Sequence, residues 1–115
     1  MSTKDIRDAL IGKKPVFKSE VEEIDGWKVE LRQLDVGARD KLLSKCKKED
    51  GIDGLKLQIN SIIMTAHNPE NGEQIFGPEH FETLASYPTG SFVDTLSNTA
   101  FRVLGISGEE DTEKN

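Results

Sequence analysis

Two strand-like segments joined by Asp25-Gly26 constrain this chain more than anything else in it. Asp-Gly suits a two-residue hairpin turn, because both turn positions need a positive φ. The pattern predicts one strand over 16–23 and its partner over 27–34. On the second, Trp27, Val29 and Leu31 alternate with Lys28, Glu30 and Arg32, so one face is apolar and the other charged. A lone hairpin is marginal in water. Its apolar face must be covered, and the rest of the chain must supply helices to do so.

The helical signals are of matching length. Ile52, Leu55, Ile59, Ile62, Ile63 and Ala66 recur at near-ideal helical spacing and predict a core helix from about Asp53. Before it, Asp35 is placed to cap a helix over 36–48 on which Ala38, Leu42 and Cys46 stack, with Glu49-Asp50-Gly51 as its break. Near the N-terminus, Thr3 is expected to cap a short helix over 5–11 with Ile6 and Leu10 on one face, ended by Gly12 to Pro15.

Asn68-Pro69 and Asn71-Gly72 mark a turn region, around which 64–66 and 74–76 are placed for a minimal strand pairing. Gly77-Pro78 opens a further helix with Phe81, Leu84 and Ala85 inward, stopped by Tyr87-Pro88. A last helix over 89–104 carries Phe92, Leu96, Ala100, Val103 and Leu104, with Gly105 at its C-cap. The expected class is therefore α+β: a mostly helical small domain with one N-terminal β-hairpin and three to four packed helices. Residues 1–106 form the single domain, and 107–115 an acidic tail expected to be disordered.

Charge and composition narrow the function. Residues 1–50 hold 12 basic and 11 acidic side chains, whereas 51–115 hold 3 and 10. With a net charge of −6, the clustered positive surface that nucleic-acid phosphates require is missing; Lys41, Lys45, Lys47 and Lys48 read as the solvated C-terminal end of a helix. The single cysteine, Cys46, permits no internal disulfide. No signal peptide or membrane-length apolar run is visible, so a location in the cytoplasm is expected.

A search for chemistry finds little. His67 and His80 lie thirteen residues apart, with no cysteine or third histidine beside them, so a zinc site is not expected. Cys46 falls on an apolar stripe and reads as a core residue. No phosphate-binding glycine pattern occurs. Catalytic residues, cofactors and metals are therefore not expected, nor is enzyme activity.

One regional feature stands out. From Leu57 to Phe101 there is no Lys or Arg. The polar faces of two helices in this stretch are uncharged: Gln58, Asn60, Ser61 and Thr65 on the first, and Thr95, Ser97, Asn98 and Thr99 on the last. Charge depletion marks burial against another subunit or against another part of the same chain, and both readings stand at this point. Phe17, Trp27 and Phe92 are candidate anchors of a partner surface, since aromatic residues dominate binding hot spots.

The order of elements, the phrase Asp25-Gly26-Trp27-Lys28-Val29-Glu30-Leu31-Arg32-Gln33-Leu34, the later Asn71-Gly72-Glu73-Gln74-Ile75-Phe76 and the ending Val103-Leu104-Gly105-Ile106-Ser107 before an acidic tail resemble a known family. The pattern is similar to the tail assembly chaperones of long-tailed bacteriophages and prophages, especially those of Gram-positive hosts. The resemblance implies a host-cytoplasmic protein that coats the tape measure protein, keeps it soluble until the tube polymerises, and is absent from the finished virion. It also implies self-association, the tail tube protein as a further partner, and a longer frameshifted form. The alternatives are another tail or head–tail morphogenesis component and a small regulatory protein-binding module.

Overall fold

The protein's structure, a computed structural model, describes residues 2–106; the acidic tail read over 107–115 lies outside the described residues. Helix α1 spans Thr3–Ile11, strand β1 Ser19–Ile24 and strand β2 Trp27–Arg32. Asp25 and Gly26 adopt φ of 51° and 86°, the two positive values that a twisted hairpin demands. The ladder runs from Ser19↔Arg32 to Ile24↔Trp27. The first strand is shorter at its start than the sequence pattern predicts. The Gln33 side chain accepts the Lys18 amide and the Gln33 amide bonds the Lys18 carbonyl, while Val16 and Phe17 lie outside the strand and exposed.

Helix α2, Val36–Lys45, is capped as expected by Asp35, whose carboxylate accepts the Ala38 amide at 2.7 Å. It stops three residues before the expected Lys48. Lys47–Lys48 (β3) instead pair with Gly51–Ile52 (β4) around a tight turn at Glu49 and Asp50. Residues read as a helix break are thus a small hairpin, and Ile52 sits on its exposed surface. Helix α3, Gly54–Thr65, buries Ile59, Ile62 and Ile63, but Leu55 stays exposed. With Ile52 exposed as well, the buried stripe begins at Ile59, about two turns later than its periodicity suggests.

After α3 the chain does not simply turn. Ala66–His67 (β5) joins the free edge of β2, with Leu31↔Ala66 and Glu30↔His67 in register. The pairing expected across Asn71-Gly72 survives as one bridge, His67↔Gln74, and an Ile75-to-Ala66 backbone bond. Met64 and Thr65 belong to α3. Pro78–His80 forms a 3₁₀ turn leading into α4, Phe81–Ala85. The last helix, α5, spans Phe92–Leu104 and starts at a Ser91 cap rather than at Thr89. Gly105 at φ 73° and the Ile106-to-Phe101 bond of 3.0 Å complete the expected C-terminal motif.

The strand order β1-β2-β5 makes a three-stranded antiparallel sheet, covered on one face by α3 and α5, with α2 and α4 against α3. The class is α+β. Leu31, Leu42, Ile59, Ile62, Ala66, Leu96 and Ala100 form the centre of the core. Helix α1 contributes no buried residue to it, and its cap is Ser2, which accepts the Asp5 amide, rather than Thr3.

One core atom is out of balance. Ser61 is fully buried on α3, yet its hydroxyl has no hydrogen-bond partner. An unsatisfied buried hydroxyl costs about 1–3 kcal/mol, and alanine is the better helix former. Ser61→Ala is expected to raise unfolding stability by up to about 1 kcal/mol, read as a higher urea midpoint at an unchanged slope.

Candidate interaction surfaces

The pleat of the sheet decides which side chains meet the helices. Val29 and Leu31 point inward and are buried. Their partners across the ladder are Glu22 and Glu20, so two acidic residues share the inner face. They are satisfied from α5. Arg102 grips Glu20 with bonds of 2.8 Å and 3.1 Å, and the Thr99 hydroxyl donates to Glu22. Arg102 also reaches Thr99 at 3.2 Å, and its hydrogen bonds to Glu20 hold that carboxyl below its ordinary value.

A second polar seam joins α3 to α5: the Gln58 amide donates to Asp94 at 2.8 Å and to Ser97 at 3.1 Å. The Gly90 amide also donates to Asp94, and this bond, followed by the one from Gln58, depresses the Asp94 pKa. On the outer face, the Ser19 hydroxyl and then Arg32 bond Glu30 and lower its pKa.

These contacts locate the predicted residues. Ser97 and Thr99 are buried within the chain, as are Ser61 and Thr65. Part of the uncharged polar surface is therefore the packing of α3, α5 and the hairpin against one another. Thr95 and Asn98 are exposed. Phe92 is half-buried with its ring edge-on to Tyr87 at 4.8 Å. Phe17 and Trp27 are exposed.

Trp27 is the most informative of them. It continues the inner row of Leu31 and Val29, which are 0% and 8% exposed, yet it is itself 77% exposed. The cover provided by the helices ends at Val29. Beyond it lies an open cleft of about 570 Å³ lined by Trp27, Val29, Pro69 and Ile75, with Lys28 and Glu70 among its polar lining. Sequence reasoning found Trp27 by residue type but not the cleft, because Pro69 and Ile75 reach the hairpin tip only through the β5 pairing.

Other apolar side chains are also uncovered. On α1, Ile6 and Leu10 share a face and Leu10 is 73% exposed. Val16, Phe17 and Val21 are exposed along the approach to β1 and on the strand itself, and β1 lies at an edge of the sheet.

Both histidines and the cysteine take part in the local structure. His67 Nδ1 lies 2.8 Å from the Thr65 carbonyl, and His80 Nδ1 accepts the Gly77 amide at 2.9 Å. Cys46 is buried, and burial pushes its thiol pKa up. Among the described residues, no cluster of three or more His, Cys, Asp or Glu could hold a metal ion, and no helix is long and apolar enough to cross a membrane. Compared with models of known protein families, with curated proteins and with solved structures, the chain matches none.

The Glu20–Arg102 pair fixes the sign of a pH effect. A carboxyl with a lowered folded pKa adds stability above its ordinary value of 4.5, and that stability is lost as pH falls through the folded pKa. Both side chains are partly exposed, so screening holds the contribution to about 1 kcal/mol or less. Arg102→Ala should lower stability near pH 7 and flatten its fall below pH 4.5, as measured by urea unfolding across a pH series.

Proposed function

We propose that this protein is a phage tail assembly chaperone that binds the tape measure protein in the host cytoplasm and keeps it soluble while the tail is built. The sequence resemblance suggests the role. The observation that carries it is the amount of apolar surface a well-capped, charged domain leaves uncovered: Leu10, Ile11, Val16, Phe17, Val21 and Trp27 are all exposed. Single exposed apolar residues are ordinary, whereas a collection that includes an amphipathic helix and an aromatic-lined cleft marks interaction sites.

A tape measure protein is a long helical rod with apolar stripes. Such a client needs grooves and edges that accept amphipathic helices, together with acidic surface elsewhere that keeps the complex dispersed. The net charge of −6 supplies the second requirement. Catalysis would instead need a pocket with convergent titratable groups; the Trp27 cleft brings together one lysine and one glutamate on an apolar floor.

Co-expression with the tape measure protein, followed by pull-down and sizing, tests the reading. A soluble complex with many copies of this chain per rod is expected. An insoluble tape measure protein, with this chain eluting alone, would overturn it.

A further inference from the structure

A second, smaller pocket of about 130 Å³ lies where the first half of α3, the end of α4 and the start of α5 converge. Leu55, Ile59, Leu84 and Val93 give it apolar walls, and Asp94 carries the only charge in its lining. The Gly90 amide at 2.6 Å and the Gln58 amide at 2.8 Å each bond one oxygen of that carboxylate. These bonds fix its direction and hold its pKa below the ordinary value, so it is ionised at neutral pH. Both donors are neutral, and the negative charge itself stays uncompensated.

The chain does not supply the missing cation. Among the described residues Asp94 has no ion-pair partner. The stretch from Leu57 to Phe101 carries five acids, Glu70, Glu73, Glu79, Glu82 and Asp94, and no Lys or Arg. Lys56 is the nearest base in sequence. Gln58 reaches Asp94, however, and residues two apart on a helix do not share a face, so Lys56 is directed to the other side of α3. The field at the pocket therefore favours a positive guest.

Size and lining set the rest of the guest's chemistry. About 130 Å³ is well below the roughly 300–1,000 Å³ of small-molecule sites and suits one side chain. Apolar walls beside a carboxylate match an aliphatic stem with a charged head, which is how lysine and arginine bury themselves. A divalent metal is a poor match, because one carboxylate is too few ligands. At the rim, Leu55 and Tyr87 are exposed, with Pro88 beside them. This apolar shoulder would be covered by a polypeptide that carries the basic side chain, whereas a free amine would leave it wet.

We propose that this pocket is a recognition site for a lysine or arginine side chain of a protein partner, with the stem against Leu55, Ile59 and Val93 and the charged head on Asp94. The inference stands apart from the chaperone reading, since it is tested with single amino-acid derivatives and no client.

The test titrates Nα-acetyl-lysine amide into the isotope-labelled full chain. The Gly90 backbone amide and the Gln58 side-chain amide both bond Asp94, so their NMR resonances report on it directly. Both should shift saturably, with a dissociation constant in the millimolar range. Nα-acetyl-norleucine amide has the same stem without the ammonium and should bind about fivefold more weakly. Added salt should narrow that difference. Asp94→Asn should abolish the preference for the lysine derivative. Leu55→Ala, outside the buried core, should weaken both derivatives and leave the far-ultraviolet circular dichroism unchanged. The comparison of derivatives uses the wild-type chain, so it decides the matter even where Asp94→Asn disturbs the fold. Absence of a saturable shift at the two amides would overturn the proposal. So would equal affinity for the two derivatives, which would make the pocket purely apolar, or n-butylamine binding as tightly as the lysine derivative, which would assign it to free amines.

Discussion

Strand β2 is the part of this molecule with the least freedom, and the two-residue period of its backbone sets the rest. It is hydrogen-bonded on one edge to β1 and on the other to β5, and its inner face lies under α3 and α5. A shift of one residue would turn Val29 and Leu31 to solvent and bring Glu30 into the core, so the register is strongly specified. The Asp25-Gly26 turn then fixes β1, and with it the inward placement of Glu20 and Glu22. Those carboxylates need donors, and Thr99 and Arg102 one turn apart on α5 supply them. The angle at which the last helix crosses the hairpin is thereby tied to the turn chemistry nearly eighty residues earlier.

The packing of α3 on α5 follows a different logic. Ser61, Thr65, Ser97 and Thr99 are small and buried, and small side chains let helices approach closely. The Thr65 hydroxyl bonds back to the Ser61 carbonyl and Ser97 to the Asp94 carbonyl, so two of the four are satisfied within their own helix, while Thr99 donates to Glu22 on β1. Poor helix formers are tolerated because packing, rather than propensity, stabilises the two helices. This accounts for much of the charge depletion between Leu57 and Phe101 without a partner. Thr95 and Asn98 are the members of that uncharged face that stay in solvent.

What could be read in the sequence was local chemistry. The hairpin turn, the Asp35 cap and the Gly105 C-cap each depend on a few adjacent residues, and each lies where its pattern places it. What could not be read depends on pairing between distant segments. β5 exists because β2 has a free edge, and α2 ends early because Lys47 pairs with Ile52. The inward turn of Glu20 and Glu22 contradicts the rule that strands bury their apolar face. Its one available signal was Arg102, the first basic residue after Lys56. For the candidate surfaces the same division applies. Aromatic type singled out Trp27 and Phe17, but uncharged polarity weighted Ser97 and Thr99, because burial inside a chain and burial against a partner deplete charge alike.

The distribution of buried residues separates folding from assembly. Among the described residues the buried core lies between Val29 and Leu104, with Ile24 and Ile106 packed against it, so α1 and the connection that follows add no buried residue to it. A surface with no part in the core can be altered for binding without loss of the fold, which is the arrangement expected where interaction and stability are selected separately. Trp27 occupies the boundary between the two: the pleat that buries Leu31 and Val29 sets its direction, and the end of the helical layer leaves it bare. An aromatic side chain aimed by a rigid strand loses little conformational freedom when something covers it. The constraint that fixes the fold therefore also preorganises an exposed aromatic anchor.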